Sequence, residues 1–329
     1  MNNPTLTYPG QPQMQAQVIL ASTTSLSPPI YTVRGRMPRC IWPEALTHRK
    51  FGRNARSSRA VPIKTMIEEI DLNPFMPWHW GKNQKGMQAS EECDNELMVR
   101  LTDFKDDYSE SFTRENAWRR AANVATDIAE GYDVAGYHKQ VVNRLLEPFM
   151  WIDVIITSTD WANFEWLRDH SDAEPHLQDW AKLCMDAIKS CEVTELSPGE
   201  WHLPYITDDD REAAYTEFGE TLEGEKLGLE WLRQISAARC ARISYKPFDG
   251  DPSYDRELER YASLVSSDHI HASPMEHQAT PDKCAEPHNP YEGKAHWLSP
   301  HLHGNLDGWV QYRKLIPGEY VGRSSTDPF

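Results

Sequence analysis

No run of apolar residues approaches the roughly 20 that a membrane-spanning helix needs. The best short one, Val18-Ile19-Leu20-Ala21, follows no basic region, so no secretory leader is expected. Cysteine is scarce. Six residues, Cys40, Cys93, Cys184, Cys191, Cys240 and Cys284, lie far apart with no CxxC pair. That excludes a disulfide framework and a paired-cysteine zinc ribbon, and it predicts reduced thiols in a cytoplasmic protein. None has the local pattern of a nucleophile. No repeat with a period of about 20 to 50 residues is present, which excludes a solenoid. Positive charge is also in deficit, because 34 Lys and Arg face 50 Asp and Glu for a formal net charge of -16. A chain so acidic opposes a polyanion, and no stable nucleic-acid partner is expected.

Against that background one segment has the opposite sign. From Arg34 to Arg59 there are seven arginines and one lysine against a single acid, Glu44. Its densest part is Thr47-His48-Arg49-Lys50-Phe51-Gly52-Arg53-Asn54-Ala55-Arg56-Ser57-Ser58-Arg59, a cationic, hydroxyl-rich loop. Arginine forks, serine hydroxyls and backbone amides together suit phosphate oxygens. A local cationic loop on an acidic protein suits a small phosphorylated ligand rather than a nucleic acid.

At 329 residues the chain allows one large domain or two ordinary ones. Residues 1–17, rich in Asn, Pro, Gln and Thr, read as a mobile arm reaching to residue 29, with the first strand near Ile30 to Val33. A short helix starting at Pro43 leads into the cationic loop. Arg114 to Glu130 has helical apolar spacing ended by Gly131, and His138 to Leu146 reads as a helix stopped by Pro148. Trp151 to Thr157 is β-branched and reads as a strand, with a helix restarting at Asp160 and another carrying the Leu177, Trp180, Ala181, Cys184, Ile188 stripe. The acidic section from Thr207 to Glu230 reads as a solvated connection or surface helix, and a further helix runs from about Ser253 to Val265. The resulting division is 1–29 as arm, 30–206 as the loop and helical part, 207–235 as acidic connection, and 236–329 as a segment completing the same domain.

Two other constellations carry chemistry-bearing residues. Arg144 lies in Asn143-Arg144-Leu145-Leu146-Glu147-Pro148, and Asn163 and Arg168 lie in Asn163-Phe164-Glu165-Trp166-Leu167-Arg168. Taken alone, Arg144 reads more simply as a partner for Glu147. The other is His271-Ala272-Ser273-Pro274-Met275-Glu276-His277, within a stretch holding seven of the thirteen histidines between His269 and His303. Its spacing fits no usual zinc pattern, so no metal is expected, and a proline turn with a capping Glu276 is the simpler reading.

Together these segments resemble the flavin-dependent thymidylate synthases, the ThyX family, whose loop signature is RHRxxSxxxxSxR. His48, Arg49, Ser57 and Arg59 match that signature, while Thr47 stands for its first arginine, Gly52 for its first serine and Ala55 for a frequent glutamate. Ala241-Arg242-Ile243-Ser244-Tyr245 resembles the family's A-R-[VI]-S-[FY] strand end. His271 to His277 resembles its H-x-[ST]-P-x-E-H turn. Asn163 to Arg168 is similar to its N-F-x-x-L-R pattern, with Asp172 where a flavin-contacting histidine is common. The order differs, because the last two motifs of this chain usually precede the loop. The resemblance is to a circularly permuted member, with the join in 207–230 and the strand near Ile30 to Val33 beside the segment after His277. The segments 81–88, 201–204 and 288–320 receive no role.

The resemblance implies an α+β fold, an antiparallel sheet with flanking helices in permuted order, and a homotetramer with composite sites. It implies conversion of dUMP to dTMP with methylenetetrahydrofolate as carbon donor, FAD as cofactor and NADPH as reductant. Ser57, Ser58, Arg59, Arg144 and Arg168 are thereby assigned to the nucleotide, with Arg168, Ser57 and His271 at the chemistry. His48, Arg49, Asn54, Asn163, Ser244, Ser273 and Glu276 are assigned to the flavin. A flavin- and folate-dependent hydroxymethylase of dUMP or another pyrimidine nucleotide is the nearest alternative. A nucleic-acid-binding module and a histidine-rich metal hydrolase are the remoter ones.

Overall fold

A computed structural model describes residues 3–102, 107–244, 253–266, 270–284 and 296–319. In chain order the N-terminal part contains β1 (Leu6–Tyr8), β2 (Gln11–Thr23), β3 (Ile30–Pro38), α1 (Trp42–Ala45), β4 (Gly52–Ala55) and α2 (Ile63–Leu72). A hairpin, β5 (Leu97–Thr102) and β6 (Asp107–Phe112), precedes α3 (Arg114–Val134), α4 (Lys139–Val142), β7 (Trp151–Ser158), α5 (Trp161–Arg168) and α6 (Pro175–Ser190). The remainder has β8 (Thr194–Glu195), α7 (Asp208–Phe218), α8 (Leu222–Ala241), α9 (Tyr254–Val265), β9 (Ala279–Pro281) and β10 (Trp309–Gln311). The class is α+β.

The main sheet runs β1-β2-β3-β7-β4, all antiparallel, with β8 added parallel to the end of β2. Alternation along each strand gives the sheet two unlike faces. Val33 and Met37 of β3 and Ile152, Val154 and Ile156 of β7 join one core with Leu177, Trp180, Ala181 and Cys184 of α6. Trp180 sits directly over β3 at Gly35, where a Cβ would come within 2.5 Å of its ring, so the helix can pack only against a bare backbone. The registers Thr32↔Thr157, Gly35↔Val154 and Gly52↔Thr157 put Thr32, Thr157 and Gly52 on the face away from α6. That second face is polar and lies toward the C-terminal segments.

Several sequence expectations are corrected here. Residues 6–23 are strands rather than a mobile arm: Met14, Ala16, Val18 and Ala21 are buried in the main core, which gives this polar-looking segment its reason to order. Ala241 closes α8 and Arg242–Ser244 is a 3-10 turn, not a strand end. Tyr245 lies outside the described residues, as do 288–295 and 320 of the segment 288–320. The helix read over His138 to Leu146 is helical only over Lys139–Val142 before breaking into turns, and α3 continues through Gly131. The acidic section, read as a solvated connection or surface helix, is helical, with α7 and α8 forming a hairpin. Thr207 and Asp210 form a capping box at the start of α7, and Arg239 of α8 forks onto Asp210 at 2.6 and 2.8 Å. Burial alone would raise the Asp210 pKa, but Arg239 and Thr207 outweigh it and hold the carboxyl at about 2.

Ile30 does not pair with the segment after His277 as a strand, since β3 has β2 and β7 as neighbours. It does share a small core with Ala279, Leu306 and Trp309. Farther along, Ala237 and Ala238 of α8 pack with Trp201, Leu203, Met275 and Tyr312. These contacts set the turn 273–276 against the end of β4, where the candidate site lies. Among the described residues no helix is long and apolar enough to cross a membrane.

Candidate functional site

The site begins with a glycine. At Gly52 a Cβ would stand 3.1 Å from Glu276 Cβ and 3.2 Å from Glu276 O, so the 3-10 turn Ser273–Glu276 reaches β4 because this strand end carries no side chain. The backbone N–H of Arg53 then donates to Glu276 Oε2 at 3.3 Å. The second Glu276 oxygen pairs with Arg313. Burial pushes the Glu276 carboxyl pKa up, against the opposing pull of Arg313.

A cleft of about 470 Å³ opens beside this contact, lined among others by Arg49, Arg53, Ser273, Glu276, Arg313 and Lys314. Arg49 is exposed, and Arg53 donates to the carbonyls of His48 and Phe51 at 3.0 and 3.3 Å. Arg313 and Lys314 lie on the 3-10 turn Tyr312–Leu315, where both pair with Glu319. Gln311 bridges the walls, donating to Glu276 O at 3.1 Å and to Asn305 Oδ1 at 2.7 Å. Three residues read from two separate motifs, Arg49 from the loop and Ser273 and Glu276 from the turn, therefore meet on one cleft. Arg53, Gln311, Arg313 and Lys314 were not singled out by sequence. The basic pair Arg313-Lys314 in an acidic chain was the available signal.

The remaining predicted residues take other places. His48 is buried between Phe51 and Phe164, with ring centroids 5.3 and 5.0 Å away. It accepts a hydrogen bond from Arg168 Nε at 2.9 Å, so its own proton belongs on Nδ1. Burial, then the Arg168 charge, lowers its pKa to about 4. The rest of the Arg168 guanidinium donates to Glu44 O and Thr47 Oγ1 at 3.0 and 2.9 Å and pairs with the Glu44 carboxylate at 3.3 Å. In this conformation Arg168 braces the loop instead of facing the cleft. Thr47, which stands where the family signature has arginine, is one of the groups it holds.

Ser58 is buried and donates to Glu147 Oε1 at 2.8 Å, the atom that also takes Arg39 and Arg144 at 3.0 and 2.8 Å. Burial raises the Glu147 pKa, but Ser58 and Arg39 reverse the sign and the net shift is downward. Ser57 accepts from the Arg59 amide at 3.3 Å, and Arg59 and Arg144 are exposed. None of Ser57, Ser58, Arg59 and Arg144 lines the cleft. Asn163 is exposed on the first turn of α5, and His271 is exposed with its amide bound to Leu264 O at 2.9 Å. The Ser244 side chain lies outside the described ones. Asn54 Oδ1 is buried with no hydrogen-bond partner. Asp172 accepts through its carbonyl from Gln88, which ties the 81–88 segment to the α5–α6 connection.

Behind the cleft, a chain of hydroxyls and imidazoles crosses the polar face of the sheet. Ser22 Oγ is 2.8 Å from His202 Nδ1, His202 Nε2 is 2.8 Å from Thr32 Oγ1, and Thr32 Oγ1 is 2.6 Å from Thr157 Oγ1. Thr157 Oγ1 lies 2.9 Å from His277 Nδ1, beside Glu276 in sequence. Burial drives both histidine pKa values down to about 3, and at His202 the second imidazole adds to the effect. Both are therefore neutral donors and acceptors. Among the described residues no group of three or more His, Cys, Asp or Glu is placed to hold a metal ion.

No protein-family model matches the sequence, and no curated protein does. Among solved structures, the chain is similar to the flavin-dependent thymidylate synthase ThyX of Helicobacter pylori complexed with FAD and dUMP. The TM-score is 0.31 at 16% identity, covering 48% of this chain and 67% of that one. A likeness of that degree leaves the functional reading to the site itself.

Proposed function

We propose that this chain is a circularly permuted flavin-dependent thymidylate synthase that converts dUMP to dTMP with methylenetetrahydrofolate and NADPH. The observation carrying this reading is the convergence of Arg49 with Ser273 and Glu276, from two distant segments of the chain, on one cation-lined cleft. The residues suit FAD: arginine and lysine side chains answer a diphosphate, and the buried, unpartnered Asn54 Oδ1 lies on the adjacent strand. Bound flavin would supply the hydride chemistry, and the protein would supply position and fixed charge. Arg49 would hold anionic oxygen at the mouth. Ser273 and Glu276 would fix the ligand's polar edge, and the neutral His48, pinned by Arg168, would set the loop. Ser57, Ser58, Arg59 and Arg144 would receive the nucleotide phosphate and sugar.

These nucleotide residues stand apart from the cleft, which supports a composite site in a homotetramer, the nucleotide group of one protomer completing the cleft of another. Val124, Ile128 and Tyr132, four residues apart on α3, are exposed, as are Tyr137, Val141 and Leu145 beyond it. Such a stripe gains from a partner surface. The reaction test follows hydrogen release from C5 of labelled dUMP in the presence of FAD, NADPH and methylenetetrahydrofolate. The expected result is release that needs all three, with thymidylate as product. Absence of release, or a hydroxymethyl product by mass, contradicts the proposal.

A further inference from the structure

The cleft holds more positive charge than the loop motif accounts for. Arg313 and Lys314 are adjacent on one turn, and Arg49 and Arg53 come from the loop; all four line the same space. Among the described residues two carboxylates oppose them. Glu319, whose side chain is 6% exposed, receives Arg313 Nε at 2.8 Å and Lys314 Nζ at 2.5 Å, so it fixes both cations at once. Glu276 receives the other edge of Arg313. Among the described residues, four cations face two carboxylates here, in a molecule of net charge -16. Arg49 makes no ion pair among the described residues and keeps its whole fork for a ligand.

We infer that Arg313 and Lys314, set by Glu319, form with Arg49 a clamp for a diphosphate, and that the cleft selects diphosphate-bearing ligands over monophosphates. A single phosphate satisfies one guanidinium fork, whereas two linked phosphoryl groups can engage Arg49 from the loop and the 313–314 pair from the turn together. The clamp gives the segment 296–319 a part in the site. The inference rests on the flavin reading for the choice of FAD as the natural dinucleotide; the clamp itself is a statement about diphosphate.

The test is calorimetric titration of the full chain with FAD, FMN, riboflavin, ADP-ribose and inorganic pyrophosphate. The wild type is compared with the Arg313→Gln/Lys314→Gln double variant and with Glu319→Gln, each checked by thermal unfolding. The expected result is that FAD and ADP-ribose bind about tenfold or more tighter than FMN, that pyrophosphate competes with FAD, and that the double variant loses about tenfold or more for every diphosphate ligand. Glu319→Gln separates positioning from bulk charge. Removing a negative charge would tighten anion binding if only the field mattered, whereas the clamp predicts weaker binding because both cations lose their anchor. Equal affinity for FAD and FMN, failure of pyrophosphate to compete on the wild-type protein, or tighter binding by Glu319→Gln overturns the clamp. If ADP-ribose and pyrophosphate bind as described but FAD does not, the clamp stands and the flavin reading fails. If FAD binds unchanged in the double variant, the reverse holds.

Discussion

His48, His202 and His277 show how single residues here are set by what surrounds them. All three are buried and have pKa values lowered from 6.5, to about 4 for His48 and about 3 for the other two, with burial as the largest cause. In the unfolded chain each would bind a proton near pH 6.5, so between that pH and about 3 to 4 the unfolded state holds more protons than the folded one. Stability therefore falls as pH drops through this window, by up to one proton's linkage for each of the three. Asp210, held at about 2, adds a loss of the same sign at still lower pH. Urea denaturation from pH 7 to 4 should show the midpoint decreasing continuously. In His277→Gln the slope should be shallower by about one proton, and an unchanged slope would show that His277 is protonated in the native state. Gly52 is the other residue whose reason is local: a serine there, as in the family signature, would drive a Cβ into the Glu276 turn.

At the scale of elements, the hydroxyl and imidazole chain joins β2, β3 and β7 to the turn that presents Glu276. Thr157 links its sheet part to His277. Thr157→Val would leave Thr32 Oγ1 and His277 Nδ1 each short of a partner, at a cost of about 1–3 kcal/mol. Thr157→Ser keeps the hydroxyl and should cost about 1 kcal/mol for the lost methyl. Equal destabilisation of the two variants in chemical denaturation would show that the chain contributes nothing beyond packing. Elements with a strong local signature were legible in the sequence: β7 through its β-branched run, α5 after Asp160, α6 through its apolar stripe, and α9. The strands at 6–23 were not, because alternating Gln, Thr and Pro with small apolar residues looks like a polar tail until a helix covers one face. The end of α8 misled for the opposite reason, since a short motif cannot say whether its backbone is extended or helical. For the site, Arg49, Ser273 and Glu276 could be named from motifs. Arg313 and Lys314 could not be tied to them, because nothing local records that the turn 312–315 folds back to β4.

For the whole molecule, the account requires association. The exposed α3 stripe and the separation of Ser57, Ser58, Arg59 and Arg144 from the cleft both fit a protomer whose site is completed by another copy. Light scattering of the purified protein is expected to give a tetramer, and Ile128→Glu, which puts charge in the middle of the stripe, is expected to shift it toward monomer and to lower the unfolding midpoint by the lost association. A wild-type monomer would contradict composite sites. Whether the cleft beside Gly52 and Glu276 holds a flavin is decided by adding FAD to the purified protein, desalting it, and recording the visible absorption spectrum. The wild-type protein is expected to retain the band of bound oxidised flavin, and Arg49→Ala, altered only at an exposed side chain, to lose most of it. A folded wild-type protein that emerges colourless, or an Arg49→Ala variant that keeps its flavin in full, would contradict it.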